Sequence, residues 1–344
     1  MSQDKALTEK KLSALWGNRT IKKIDTRGNK IVMFSDMHLG DGSKADDFRH
    51  NHKVFEKALE YYKRENYTVI LLGDIEEFWQ FDLDSIINTY DSTVYRKLRL
   101  FENGRFYRVY GNHDSEWGSP RDPARKIPRE SGVASEALKL KGKDGRARIL
   151  LIHGHQGSKE SDKNSWISRV FVRLYKRIEP VIKIDRHTSA TKSQIAKNYE
   201  KIMYSWAKKK KVILICGHSH RAIFASETYI DKLQEEIEKI QKEILDDRYN
   251  KKFVEKKIKE LNKKLGEKRD EELKNRKITR LEKKGKPLPC YFNTGCALYT
   301  DGGTAIEIDK DEIRLVKWAK KNKNRFSRDI FKKGSLSDII RKVV

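Results

Sequence analysis

Between Ile31 and Cys216 the chain carries five apolar runs, and each breaks off into a polar cluster instead of an ordinary turn. Ile31–Phe34 runs into Ser35-Asp36-Met37-His38, and Val69–Leu72 into Gly73-Asp74. Phe106–Tyr110 runs into Gly111-Asn112-His113-Asp114, Ile149–Ile152 into His153-Gly154-His155, and Val212–Cys216 into Gly217-His218-Ser219-His220. Short β-branched and aromatic runs between helix-like segments are the rhythm of an α/β domain. Ligands of such sheets bind beyond the carboxyl ends of the strands, so the five ends are expected to converge on one site.

Further along, Cys290–Asn293, Thr304–Ile308 and Ile313–Trp318 predict a second group of strands with a hairpin. Ile167, Val170, Phe171, Leu174 and Ile178 share one helical face, and Ile195, Tyr199, Ile202 and Trp206 repeat the pattern. These helices are either ordinary packing elements or a basic, aromatic lid over about 156–210. Leu233, Ile237, Ile240 and Ile244, then Val254, Ile258, Leu261 and Leu265, recur at heptad-like intervals. A break near Asp246–Asn250 folds the two stretches into a helical hairpin arm over 229–287, free to pack on itself, bind a partner or mediate dimerisation. Residues 1–29 are expected as a loosely docked polar leader with one amphipathic turn at Leu12, Leu15 and Trp16, and 319–344 as a basic, partly disordered tail.

The 344 residues suffice for one large α/β domain with insertions. Three scattered cysteines exclude a disulfide framework, and no stretch approaches the roughly 20 apolar residues of a membrane span. A cytoplasmic protein is expected. The 76 Lys+Arg against 50 Asp+Glu give a net charge of +26, which favours anionic partners: a phosphorylated substrate, nucleic acid, or an anionic membrane surface met peripherally.

Six of the nine histidines lie in the strand-end clusters, beside Asp36, Asp74, Asn112 and Asp114. Mixed imidazole, carboxylate and amide-oxygen donors without a thiolate suit Mn, Fe, Zn or Co. Asp36-x-His38, Gly73-Asp74, Gly111-Asn112-His113-Asp114, His153-Gly154-His155 and Gly217-His218-Ser219-His220, in that order, resemble the calcineurin-like metallophosphoesterase superfamily. The resemblance covers roughly Lys30 to Ala225 and resumes at Asn293-Thr294-Gly295.

It implies a two-sheet α/β/β/α sandwich, with its core over 30–228 and 288–318, that hydrolyses a phosphate ester or pyrophosphate. Two divalent cations are implied, Mn first, the one held by Asp36, His38 and His220 and the other by Asn112, His153 and His218, with Asp74 bridging them. A bridging hydroxide would attack phosphorus while His113 acts as general acid, Glu77 orienting it. Asp114 is an alternative partner for His113, or a stabiliser of its loop. His155 is expected to point to the substrate or to support the ligands from behind, and Arg221 to meet the substrate as a phosphate clamp or else to sit in an ion pair.

Gly73–Trp79 looks like the UDP-2,3-diacylglucosamine hydrolase branch, although that branch typically has Arg at the place of His113 and Asp at the place of His155. The alternatives are a nuclease or nucleotide phosphodiesterase, favoured by the charge, and a non-catalytic scaffold acting through the arm, disfavoured by the complete donor set.

Overall fold

In the computed structural model two β-sheets pack face to face between layers of helices, forming an α/β sandwich. The structure describes residues 2–101, 104–118, 134–142, 144–157, 189–228, 281, 286–299, 302–322 and 325–344. The strands are β1 (Lys23–Asp25), β2 (Lys30–Phe34), β3 (Tyr67–Leu72), β4 (Phe106–Val109), β5 (Ala137–Lys141), β6 (Ala147–Ile152) and β7 (Ile213–Cys216). They continue with β8 (Ala222–Phe224), β9 (Glu227–Thr228), β10 (Tyr291–Thr294), β11 (Gly302–Asp309), β12 (Glu312–Lys320) and β13 (Phe326–Ser335). The helices are α1 (Ser2–Gly17), α2 (His52–Arg64), α3 (Leu83–Tyr90), the short α4 (Arg96–Leu98), α5 (Ser189–Lys210) and α6 (Leu336–Val343).

One sheet runs β13-β12-β11-β2-β3-β4 and the other β1-β5-β6-β7-β10-β8-β9. The second group of strands predicted from Cys290 onward is thus not a sheet of its own. Strand β10 joins β7 in parallel, whereas the β11–β12 hairpin extends the sheet of β2. The reason is burial on both faces. Ile31 and Met33 of β2, with Ile70 and Leu72 of β3, point into the core between the sheets. Val32, Phe34, Val69 and Leu71 point outward, under Val54, Phe55, Ala58, Leu59 and Tyr62 of α2. Such strands read as unbroken apolar runs that carry no mark of the sheet they join.

The leader is not loose. Leu12 of α1 is fully buried in the core between the helices and the β5–β6–β7 sheet, and Ser13 Oγ accepts the indole N–H of Trp206 on α5 at 2.9 Å. Lys139 of β5 donates to the carbonyls of Trp16 and Asn18 at 2.6 and 2.7 Å, and β1 pairs with β5. Fully burying a side chain such as Leu12 contributes about 1.5–3 kcal/mol, enough to hold a helix whose remaining positions are mostly polar.

The tail is ordered as well. Strand β13 forms the sheet edge, where polar residues on both faces hide the strand signal. Arg328 fixes it by donating through both Nε, at 2.7 Å, and Nη2 to the buried Glu307 carboxylate. Helix α6 then buries Leu336, Ile339 and Val343, spaced three and four apart, behind a Ser335 cap whose hydroxyl accepts Asp338 N–H.

Helix α5 packs through Met203, Tyr204, Trp206 and Ala207 as a core helix. The rest of the expected lid, 158–188, and nearly all of the hairpin arm, 229–280 and 282–285, lie outside the described residues. Among the described residues no helix is long and apolar enough to cross a membrane.

Candidate metal centre

Strands β2, β3 and β4 are parallel to one another in one sheet, as are β6, β7 and β10 in the other, so six carboxyl ends meet at one edge of the sandwich. Backbone bonds stitch that edge together. Asp36 N–H donates to Gly73 O at 3.1 Å, and Gly217 N–H to His153 O at 2.8 Å. The fit leaves no room for extra atoms: a Cβ on Gly111 would lie 2.1 Å from Asp74 Oδ1, and one on Gly217 2.4 Å from Asp36 Oδ2.

Ten non-glycine residues among those described have positive φ, and five of them are Asp36, His38, Asp74, His218 and His220. A left-handed residue costs roughly 1–2 kcal/mol over a right-handed one. Half of the backbone strain of this kind thus sits where the functional side chains are aimed inward.

Three donor groups result among the described residues: Asp36, His38 and His220; Asp74, His153 and His218; and His38, Glu77 and His113, each with its ligand atoms within 4.8 Å of one another. The buried Asp36 carboxylate accepts the Ser35 hydroxyl and the His218 N–H, the latter at 2.9 Å, and lies 3.3 Å from His220 Nε2. Asp74 accepts His113 N–H at 2.8 Å.

Glu77 does more than its predicted task. Its Oε1 accepts from His113 Nδ1 and its Oε2 from His38 Nδ1, both at 2.8 Å. Burial would raise this carboxyl, but the two imidazoles, His113 foremost, hold it down at about 2. An ionised carboxylate only accepts, so both Nδ1 atoms carry hydrogen and both Nε2 atoms face away. His113 also stacks on Trp79, with ring centroids 4.0 Å apart, and Trp79 Nε1–H donates to Asn112 O at 2.9 Å. Burial disfavours the His113 cation, but the Glu77 and Asp74 carboxylates outweigh it and raise its pKa.

The donors fit divalent cations. His38 Nε2 and His220 Nε2 face each other at 3.3 Å, two ring nitrogens converging on one place. His153 donates Nδ1–H to Leu72 O at 2.8 Å, which leaves its Nε2 lone pair 3.0 Å from Asp74 Oδ2 without a hydrogen bond. Asn112 Oδ1 is likewise buried without a hydrogen-bond partner. Two acceptors turned toward one another in a buried site call for a cation. Burial pushes the His218 pKa down to about 3, which favours the neutral ring a cation needs.

Three site assignments are corrected, each in favour of the other alternative that the sequence left open. Asp114 is not at the reacting centre: its two oxygens accept the backbone N–H groups of Ile75, at 2.9 Å, and Gly111, at 2.6 Å, pinning the ends of β3 and β4 together. Arg221 is no open clamp, because its Nη1 donates to the buried Glu200 carboxylate of α5 at 2.5 Å. His155 lies behind His153, with ring centroids 5.5 Å apart, and burial presses its pKa well below the usual histidine value.

Sequence reasoning missed Ser35 and Trp79, whose roles depend on contacts across the fold. It also missed Asn293, whose amide donates to Gly217 O at 2.6 Å and braces the His218 loop. The sequence signal available was Asn293-Thr294-Gly295, the polar cluster that ends the run from Cys290 and at which the family resemblance resumes.

Sheets whose carboxyl ends gather imidazoles and carboxylates in this way define a candidate metal centre. The chain belongs to the calcineurin-like phosphoesterase family, whose model matches residues 29–222, more than half of its length. It has no match among curated proteins. Among solved structures it is similar to Vacuolar Protein Sorting 29 from Cryptosporidium parvum, at 12% identity and a TM-score of 0.34, over 89% of this chain and 98% of that one. A conserved uncharacterised protein from Streptococcus pneumoniae TIGR4, described as a predicted phosphoesterase, is also 12% identical, with a TM-score of 0.30, over 88% and 97% of the two chains. Both likenesses are too loose to bear on the site.

Proposed function

We propose that this protein is a dinuclear metallophosphoesterase that hydrolyses a phosphate ester or pyrophosphate. Asp36, His38 and His220 would hold one divalent cation, Asn112, His153 and His218 the other, and Asp74 would serve both. The reading is carried by the convergence of two donor groups, each with its ligand atoms within 4.8 Å, on one edge of the sandwich. Bound there, the cations would supply Lewis acidity: a nucleophile made from water near neutral pH, and neutralised charge on the phosphoryl oxygens.

The chain's own residues do the rest. His113, with Nδ1 committed to Glu77, presents Nε2–H and protonates the leaving oxygen. Trp79 holds the face of that ring, and Glu77 keeps its tautomer. Asp114 and Ser35 keep the loops that aim Asp74 and Asp36 in register. The donor chemistry suits Mn, with Fe, Zn and Co also accommodated. Within the family, Gly73–Trp79 points toward the UDP-2,3-diacylglucosamine hydrolase branch, and the net charge of +26 toward a longer polyanion.

The test is hydrolysis of an aryl phosphate monoester, its diester, UDP-2,3-diacylglucosamine and a nucleotide pyrophosphate, with Mn²⁺ or with chelator, alongside metal content per chain. Mn²⁺-dependent turnover abolished by chelator, with two metals bound, is expected. Chains that bind two metals but turn over no substrate would count against catalysis, and chains that bind none would overturn the site itself.

A further inference from the structure

Glu77 has a buried neighbour whose carboxylate no part of the metal chemistry uses. Glu76 is fully buried and turned into the outer apolar layer, among Tyr95 and Trp117. Its Oε2 accepts Arg108 Nη1–H at 2.6 Å and Trp117 Nε1–H at 2.9 Å, and its Oε1 accepts the Tyr95 hydroxyl at 2.9 Å. The Arg108 guanidinium lies over the Trp117 ring, 4.2 Å from its centroid, so the two donors meet that oxygen side by side.

These donors bracket the loop that carries His113. Arg108 stands on β4, four residues before Asn112, and Trp117 in the turn Ser115–Gly118, four residues after His113. Asp114 pins the near end of that loop, at Gly111; the far end, beyond His113, is tied to the β3 loop by Trp117 through Glu76. Within the β3 loop the backbone is fixed by Leu39, whose N–H donates to Ile75 O at 2.7 Å and whose carbonyl accepts Glu77 N–H at 3.0 Å. Glu76 and Glu77 therefore face opposite ways from one rigid strip: Glu77 to His113 Nδ1 at 2.8 Å, Glu76 to the two ends of the loop on which His113 rides. Tyr95, at the end of the π-helical turn Asp91–Tyr95, completes the clasp; such turns are rare and gather at functional sites.

A buried ion pair is a weak stabiliser, because apolar residues of similar volume often serve as well or better. What an apolar side chain cannot do is fix two donors from separate points of the chain at one atom. Resting on the phosphoesterase reading above, we propose that Glu76 is a positioning residue for the protonation of the leaving oxygen. By holding Arg108 and Trp117 it sets the His113 loop at a fixed distance from Glu77. That aims the Nε2–H whose proton passes to the leaving oxygen as the phosphorus–oxygen bond breaks. Glu76 itself, fully buried, acts only through them.

Glu76→Ala would strand the Arg108 charge in the core, so the test uses two milder variants. Trp117→Phe removes one donor and keeps a ring under Arg108, and Arg108→Lys keeps the charge and gives up the planar fork. Leu12→Ala, a core variant on α1, controls for lost stability. Metal-loaded proteins are assayed on p-nitrophenyl and phenyl phosphate and on the corresponding bis-aryl diesters. The p-nitrophenolate group leaves as the anion, whereas phenolate, about as basic as a tyrosinate, gains from a proton. Trp117→Phe is expected to lower kcat on the phenyl esters about tenfold, a part of the roughly 10²–10⁴ that a general acid supplies, with Arg108→Lys moving the same way. Their kcat on the p-nitrophenyl esters, KM and metal content should hold, and Leu12→Ala should keep the wild-type ratio of the two leaving groups. A wild-type ratio in both loop variants, or an equal change in Leu12→Ala, would overturn the positioning role and leave the phosphoesterase reading standing. Wild type that binds two metals and turns over none of the four esters would remove that reading, and the role with it.

Discussion

Glu77→Gln is the sharpest test of the centre, because one carboxylate serves two imidazoles at 2.8 Å each. The amide that replaces it has one acceptor and one donor end. It can keep one Nδ1–H bond, but it turns an NH₂ group toward the other histidine, which must then accept at Nδ1 and carry its hydrogen on Nε2. If His38 is the one that flips, its Nε2 loses the lone pair a cation needs. If His113 flips, it keeps an Nε2–H donor but loses the anion that raised its pKa. A charge-assisted hydrogen bond contributes about 1.5–3 kcal/mol, or about 10- to 100-fold in an equilibrium constant. That matches the usual cost of removing a partner that orients a metal ligand.

The assay is metal affinity by titration, with pH profiles of kcat on an aryl diester at saturating metal. A general acid must be protonated, so activity falls as pH rises through the His113 pKa. Removing the Glu77 charge lowers that pKa, and the basic limb should move to lower pH. Wild-type metal affinity together with an unmoved basic limb would refute the two-sided role.

Three further outcomes follow from the geometry. Leu12→Ala should destabilise the fold by about 2–5 kcal/mol in urea denaturation, since the residue is fully buried, whereas a loose leader would give no change. Gly217→Ala places a methyl carbon 2.4 Å from Asp36 Oδ2, and should cut metal binding at least tenfold in a titration while the protein still melts cooperatively. Chelation should lower the melting temperature, and Mn²⁺ at about 100 times its Kd should restore about 2.7 kcal/mol, because buried acceptors such as Asn112 Oδ1 regain a partner; calorimetry with and without metal reads this directly.

The strand-end residues were legible because apolar runs stopped by histidine and aspartate are rare, and the parallel strands gather those ends at one edge. What the side chains do there was less so. Asp114 follows His113 in sequence, yet it turns back to the amides of Ile75 and Gly111, and adjacency could not foretell that direction. Arg221 invites a phosphate only until Glu200 arrives from a helix that begins far back in the chain. The leader and tail failed for a different reason: α1 is held by few apolar residues, and β13 by an ion pair to Glu307. Neither makes a periodic pattern longer than the single turn at Leu12, Leu15 and Trp16.

The five left-handed backbones at Asp36, His38, Asp74, His218 and His220 set stability against function. Glycine could take any of these conformations with less strain, so the rest of the fold tolerates a standing disadvantage there. A laboratory population selected for heat resistance alone would be expected to drift toward glycine or asparagine at those positions, becoming harder to melt as it lost its catalytic centre.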